Sequence, residues 1–173
     1  MAQGISENEF NNKIIAAATQ TVTNAIEFKS TDLVSTAKDA VKSNVPAIAK
    51  SFAVEADMIY YSGIQDEAKF MKAAGLYAKK FAKSNAFKLN EVSMMVLKSC
   101  KQATPFKKAE KWAMKAIENG GKSDYYLTYA QLLSKQGRQS EALQAAKDGR
   151  TVARQNKTST APFDMFIKNL EGA

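Results

Sequence analysis

Residues 126–146, YLTYAQLLSKQGRQSEALQAA, decide the fold. Ala130 precedes Gly137, and Ala142 and Ala146 follow it, so small side chains fall where two antiparallel helices joined by a tight turn must touch. Ser123 is placed to cap the first of these helices, which runs to about Lys135; Gly137 marks the turn; the second reaches about Gln155.

In this stretch Tyr126, Ala130, Gly137, Ala142 and Ala146 form the pattern of an aromatic, a small residue, a turn glycine and two small second-helix positions, which resembles one tetratricopeptide repeat. The resemblance is fullest over 122–155, partial over 89–120 and thinnest over 7–83. There the aromatic expected early in each first helix gives way to Thr21 and Phe52, while Ser93 stands in its place in the third pair. It implies an architecture, a right-handed α-α superhelix that presents a binding surface, and no chemistry of its own.

Working outward, Ser6 and Glu9 form a capping box before the apolar-periodic run of Phe10, Ile14, Ala18, Val22 and Ala25, giving a first helix over about 7–29. Ser30 or Thr31 caps a second, which stops before Pro46 because the residue preceding proline leaves the α region. The third and fourth helices, about 47–62 and 66–83, divide near Gly63. A fifth spans about 86–101. Thr104 and Pro105 supply a cap and a first-turn proline for a sixth, ended by Asn119-Gly120-Gly121. Pro162 to Leu170 forms a last helix that would cover the apolar end of a stack.

A twelve-residue interval links first and second helices: Ala25 to Ala37, Ala56 to Ala68 with Gly63 as turn glycine, Leu97 to Ala109, and Ala130 to Ala142. The steps between the second-helix alanines are 31, 41 and 33, and only the last is near the roughly 34 residues of the family. The expectation is an all-α fold: about four antiparallel helix pairs and a C-terminal capping helix in a single domain over 1–173. A non-repeat helical bundle is the other arrangement these amphipathic pairs allow. The late half is also similar to the helical appendages that follow thioredoxin-like domains in some bacterial proteins, which would make it an accessory domain of a larger protein.

Composition agrees with helices: 45% of residues are hydrophobic and only three are proline, with Ala and Lys abundant. No window is apolar for long enough to span a bilayer, so no transmembrane segment is expected. The opening MAQGISENEFNN lacks the basic and apolar regions of a secretory signal, and reads as the start of a cytosolic protein or of an exported one already trimmed. Charge is uneven. Residues 1–66 hold five Lys and eight acids, or −3, and residues 67–173 hold twenty Lys plus Arg and nine acids, or +11.

Catalytic constellations are not found. With no histidine and one cysteine, Cys100, neither a Cys/His nucleophile nor a zinc set can form. Glu55 with Asp57, and Asp66 with Glu67, are too close in sequence to share a helix face. Neither an enzyme, nor a cofactor, nor a metal site is expected.

Two surfaces remain. Met94, Lys98, Lys101, Tyr126, Tyr129 and Lys135, on or beside first helices, would line the groove in which tetratricopeptide proteins hold an extended segment or partner helix, since Tyr and Met suit adaptable contacts. The family's grip on acidic chaperone tails needs Lys, Arg and Asn at successive groove positions; Met94, Lys98, Leu127 and Gln131 stand there instead. The second surface is basic: Lys79 and Lys80, then Lys107, Lys108, Lys111 and Lys115, then Lys147, Arg150 and Arg154. These lie on second helices, where they could meet nucleic acid or another polyanion. The first function expected is binding a protein segment in the groove.

Overall fold

A computed structural model describes residues 6–172. Among them are nine α-helices and no strand: α1 (Glu7–Phe28), α2 (Thr31–Asn44), α3 (Ala49–Gly63), α4 (Glu67–Lys80), α5 (Ala86–Ser99), α6 (Ala103–Gly120), α7 (Ser123–Lys135), α8 (Gln139–Gln155) and α9 (Ala161–Glu171). A single 3-10 turn, Pro46–Ile48, leads into α3.

Local chemistry places the ends. The Ser6 side chain accepts from Glu9 N–H while Glu9 reaches back to the Ser6 N–H at 3.0 Å, the reciprocal box that starts α1. Ser30 Oγ caps α2 and Asn85 Oδ1 caps α5. Two expected caps move. Gln102, not Thr104, precedes α6, so Pro105 falls inside the first turn, where a missing N–H leaves no bond unmade. Lys122, not Ser123, precedes α7, and Ser123 is buried in its first turn.

The chain packs as two compact units, Met1–Tyr77 and Ala78–Ala173, divided within α4. In the first, α1 packs on α2 and on α3, and α2 on α3. Ala18, Val22 and Ala25 of α1 meet Val34, Ala37 and Val41 of α2 and Phe52, Ala56 and Tyr60 of α3 in one core. In the second, α5 packs on α6, α6 on α7, α7 on α8 and α8 on α9, and α5 also reaches α7. Besides these neighbours in sequence, α1 touches α3 in the first unit and α5 touches α7 in the second, each pair separated by one intervening helix. Leu89, Val92 and Val96 of α5, Phe106 and Ala109 of α6, Leu132 and Leu133 of α7 and Phe163 of α9 are all buried. Each large apolar side chain so removed from water contributes about 1.5–3 kcal/mol.

A constant period runs along the chain. The second helices begin at Thr31, Glu67, Ala103 and Gln139, each 36 residues after the last. First helices end at Gly63, Ser99, Lys135 and Glu171, again 36 apart, so α9 occupies the place of a first helix. Side chains follow the same register. Ala37, Ala73, Ala109 and Ala145 are all buried at equivalent positions, as are Val34, Phe70, Phe106 and Ala142, and Val41, Tyr77, Ala113 and Gly149.

This register corrects the twelve-residue interval. Ala25 with Ala37 and Leu97 with Ala109 are equivalent pairs, but Ala56 with Ala68 and Ala130 with Ala142 fall elsewhere in the unit. Ala68 is exposed, and the alanine that matches Ala37 and Ala109 is Ala73. Gly63 is not the turn glycine either. The left-handed residue of that turn is Gln65, at φ 60°, equivalent to Gly137 at φ 77° and Lys29 at φ 48°. Gly63 instead lies against Ile26 of α1, whose side chain fills the space a Cβ would need.

Candidate functional site

A groove of about 320 Å³ is lined by Met94, Leu97 and Lys98 of α5, Gln131, Ser134 and Lys135 of α7, and Phe166 of α9. All three helices hold the first-helix place in the 36-residue register. Met94 and Phe166 are equivalent positions two periods apart, and Lys98 and Ser134 are equivalent one period apart, so the groove is built by one face recurring. Met94 is 39% exposed in spite of its apolar side chain. Leu97, Gln131, Ser134 and Phe166 are half-buried, while Lys98 and Lys135 are exposed and make no ion pair among the described residues. The lining holds two cations and no carboxylate.

Of the six residues expected there, Met94, Lys98 and Lys135 line the groove. Lys101 is exposed in the connection between α5 and α6. Tyr126 packs toward α8: its Cβ would lie 2.6 Å from a Cβ on Gly149. Tyr129 is half-buried against Ala130, Leu133 and Ala142, and burial, with the Glu110 carboxylate second, pushes its hydroxyl above the ordinary 10.0. Both tyrosines thus serve contacts between helices. Gln131, given above as a groove position of the chaperone-tail clamp, also lines it; Leu97, Ser134 and Phe166 were missed, although the 36-residue spacing from Met94 and Lys98 points to the last two.

One buried polar side chain of α5 has incomplete bonding. Asn90, 6% exposed, lies one turn before Met94 on α5, and its Nδ2 donates to Met94 Sδ at 3.5 Å. Its Oδ1 is buried and accepts no hydrogen bond.

The basic face divides in two. Lys107, Lys108 and Lys111 are exposed and Lys115 half-buried along α6, with Lys79 and Lys80 exposed in the last turn of α4; none is ion-paired among the described residues. On α8, by contrast, Lys147 meets Glu171 at 3.6 Å and Arg150 meets Asp164 at 3.1 Å, so both cations help to hold α9. Arg154, exposed, lies close enough to Asp164 to help depress its carboxyl. Lys107 and Lys111 border a second cleft, of about 530 Å³, with Ala103, Glu110, Gln136 and Arg138. Its one carboxylate is already engaged: Glu110 accepts from Arg138 Nη1 at 2.7 Å and from Gln136 Nε2 at 3.0 Å.

The acidic pairs noted in the sequence have structural partners. Asp57 accepts from Lys38 Nζ at 2.6 Å, and Asp66 Oδ1 accepts from the Lys69 N–H at 3.0 Å to cap α4. No group of three or more His, Cys, Asp or Glu among the described residues could hold a metal ion. No described helix is long and apolar enough to cross a membrane. No protein-family model, curated protein or solved structure matches this chain.

Proposed function

We propose that the chain is a non-enzymatic, tetratricopeptide-like binding module that holds a segment of a partner protein in the groove of α5, α7 and α9. One observation carries the reading: three helices in the first-helix register put apolar Met94, Leu97 and Phe166 on a solvent-open surface with polar and cationic side chains beside them. A concave apolar strip with few polar groups suits a short chain segment that buries one or two side chains. Contacts between successive first helices inside each unit support a right-handed stack with those helices on its inner side. The period departs from the family's, 36 against roughly 34 residues, and its constancy supports reading 1–173 as one series of repeats.

The test is a peptide array of varied extended sequences, read with the unaltered protein and with Met94→Glu/Leu97→Glu. Loss of the captured peptides in the variant, at unchanged helicity, supports the groove. Peptides held equally by both proteins would remove it.

A second reading has its own observation, the unpaired lysines of α6. Lys107, Lys111 and Lys115 stand four residues apart, about 6 Å per step along the helix, and would present a row of cations to nucleic acid or another polyanion. Binding of an oligonucleotide that weakens steeply with salt and disappears in Lys107→Glu/Lys111→Glu supports this reading; absence of binding at low salt ends it.

A further inference from the structure

We infer that α6 binds single-stranded nucleic acid, with one base stacked on Trp112 and the neighbouring phosphates held by Lys108, Lys111 and Lys115. The inference rests on the reading of the α6 lysines as a surface for polyanions, and it names the polyanion.

Four side chains make the site. Lys108 and Lys111 are three residues apart, as are Trp112 and Lys115; Lys108 and Trp112 are four apart, as are Lys111 and Lys115. Residues so spaced on a helix are neighbours, about 5–6 Å between Cβ atoms, so the four close into one patch with the indole at a corner and a lysine on either side of it. Lys108 and Lys111 are exposed and Trp112 and Lys115 half-buried. None of the three lysines is ion-paired among the described residues. The carboxylates of α6 do not cancel this charge: Glu110 is held by Arg138 and Gln136, and Glu118 stands in the last turn.

The repeat supplies an internal comparison for Trp112. Its equivalents in the 36-residue register are Ala40, half-buried, Leu76, 40% exposed, and Asp148, exposed. No pair buries this position, and the fold accepts alanine, leucine or aspartate there. The chain's one tryptophan therefore stands among lysines at a place where packing does not call for it.

An indole offers a flat face on which any base can stack, and cations beside it meet the phosphates that flank that base. The lysines alone specify a polyanion; the ring narrows it to one whose bases are free, since in a duplex the base faces already cover one another. A carboxylate-rich peptide would use the lysines and leave the indole idle. An anionic bilayer needs a continuous apolar face to insert, and that face of α6 is buried in the core as Phe106, Ala109, Ala113 and Ala116.

Trp112 is its own reporter, because no other tryptophan contributes to the emission. The probes are a thymidylate oligonucleotide and an abasic strand of the same length and charge, titrated at low salt into the unaltered protein. Thymidylate is expected to bind and to quench the indole. Its log affinity should fall against log salt with a slope of about −2, as three phosphate contacts to a single strand require. The abasic strand should bind about tenfold more weakly and leave the emission unchanged. Fluorescein-labelled strands and polarisation give the affinities of variants. Trp112→Leu, the residue already present at the equivalent Leu76, should bring thymidylate down to the affinity of the abasic strand without altering the latter, and Trp112→Phe should recover part of the loss. Lys108→Glu/Lys115→Glu should weaken both probes.

Equal affinity for thymidylate and abasic strands, with the indole unquenched, would overturn the stacking and leave the polyanion reading standing; this comparison uses the unaltered protein, so it decides whether or not a variant folds. A duplex held more tightly than the single strand would overturn the inference in the same way. Poly-glutamate, or phosphatidylserine vesicles, bound as tightly as thymidylate would overturn the assignment to nucleic acid. If neither strand binds at low salt, the inference and the polyanion reading fall together.

Discussion

Gly149 of α8 faces Phe163 of α9 so closely that a Cβ on the glycine would lie 2.5 Å from the ring's Cε1, and it would also lie 2.6 Å from Tyr126 Cβ of α7. Three helices meet at this point, and only a missing side chain allows it. Gly149→Ala gains helix propensity of about 1 kcal/mol but forces the ring or the helix to shift, an overpacking cost of about 1–3 kcal/mol. The expected result in urea unfolding is a net loss of about 1 kcal/mol. Gly75, inside α4 with open space where its Cβ would be, gives the opposite sign: Gly75→Ala should stabilise by about 0.5–1 kcal/mol.

Arg138 ties three elements together. Its Nη1 donates to Glu110 of α6 at 2.7 Å, and its Nε and Nη2 donate to Glu141 of α8 at 2.7 Å and 2.6 Å. Glu110 keeps only 15% of its side chain exposed, so Arg138→Met leaves a largely buried carboxylate with Gln136 as its remaining side-chain donor. A loss of about 1 kcal/mol is expected, smaller than for a fully buried pair because the guanidinium is partly hydrated. Chemical denaturation of Arg138→Met, Glu110→Gln and the double variant would measure the coupling directly.

The acid limb of the stability curve follows from hydrogen-bonded carboxylates. Arg138 holds the Glu141 carboxyl below its ordinary 4.5, the Ser6 N–H does the same for Glu9, and Thr160, then Arg150, hold Asp164 below 3.8. Each is depressed in the folded chain. Its contribution is therefore complete above the ordinary carboxylate value and is lost as pH falls through the folded value. Melting temperature should decline below about pH 5. The decline should be shallower in Arg138→Met and Thr160→Val, and an unchanged acid slope in both would refute the assignment.

The alanines of the second helices test the period. Ala73, equivalent to Ala37, Ala109 and Ala145, is buried, and Ala68 is exposed. Ala73→Leu should destabilise by about 1–3 kcal/mol through overpacking, whereas Ala68→Leu should stay within about 0.5 kcal/mol of the parent. A repeat counted from Ala68 would require the reverse order.

The helices themselves were legible because their signals are local. The Ser6–Glu9 box, the Pro46 boundary, the Gly120-Gly121 end of α6 and the turn glycine Gly137 each act within a few residues. The period was harder to read because alanine is common: Ala68 and Ala73 both fit a helix face, and only burial separates them. Gly63 shows the same ambiguity, since a glycine that allows close approach and one that turns the chain look alike in sequence. The groove was half legible. Met94, Lys98 and Lys135 followed from first-helix placement, but Tyr126 and Tyr129 turned to neighbouring helices because an aromatic ring on a crowded face buries more surface there than in an open groove. Phe166 was out of reach until α9 was recognised as a first helix.

The turns between paired helices carry the last prediction. Lys29 and Gln65 occupy the left-handed region that Gly137 occupies in the last pair. The same bonds close all three: Ser30 N–H to Ala25 O, Asp66 N–H to Tyr61 O and Arg138 N–H to Leu133 O, at 3.0, 2.9 and 3.1 Å. A side chain in this region costs about 1 kcal/mol from crowding between Cβ and the backbone, whereas glycine adopts it freely and loses more entropy on folding. Crowding outweighs entropy at a tight turn, so Lys29→Gly and Gln65→Gly should each stabilise by up to about 1 kcal/mol. Gly137→Ala should lose about the same amount. The two gains should add in the double variant, because the turns lie in different helix pairs and share no partner. A loss on either glycine substitution would mean that the Lys29 or Gln65 side chain makes contacts worth more than the strain it imposes.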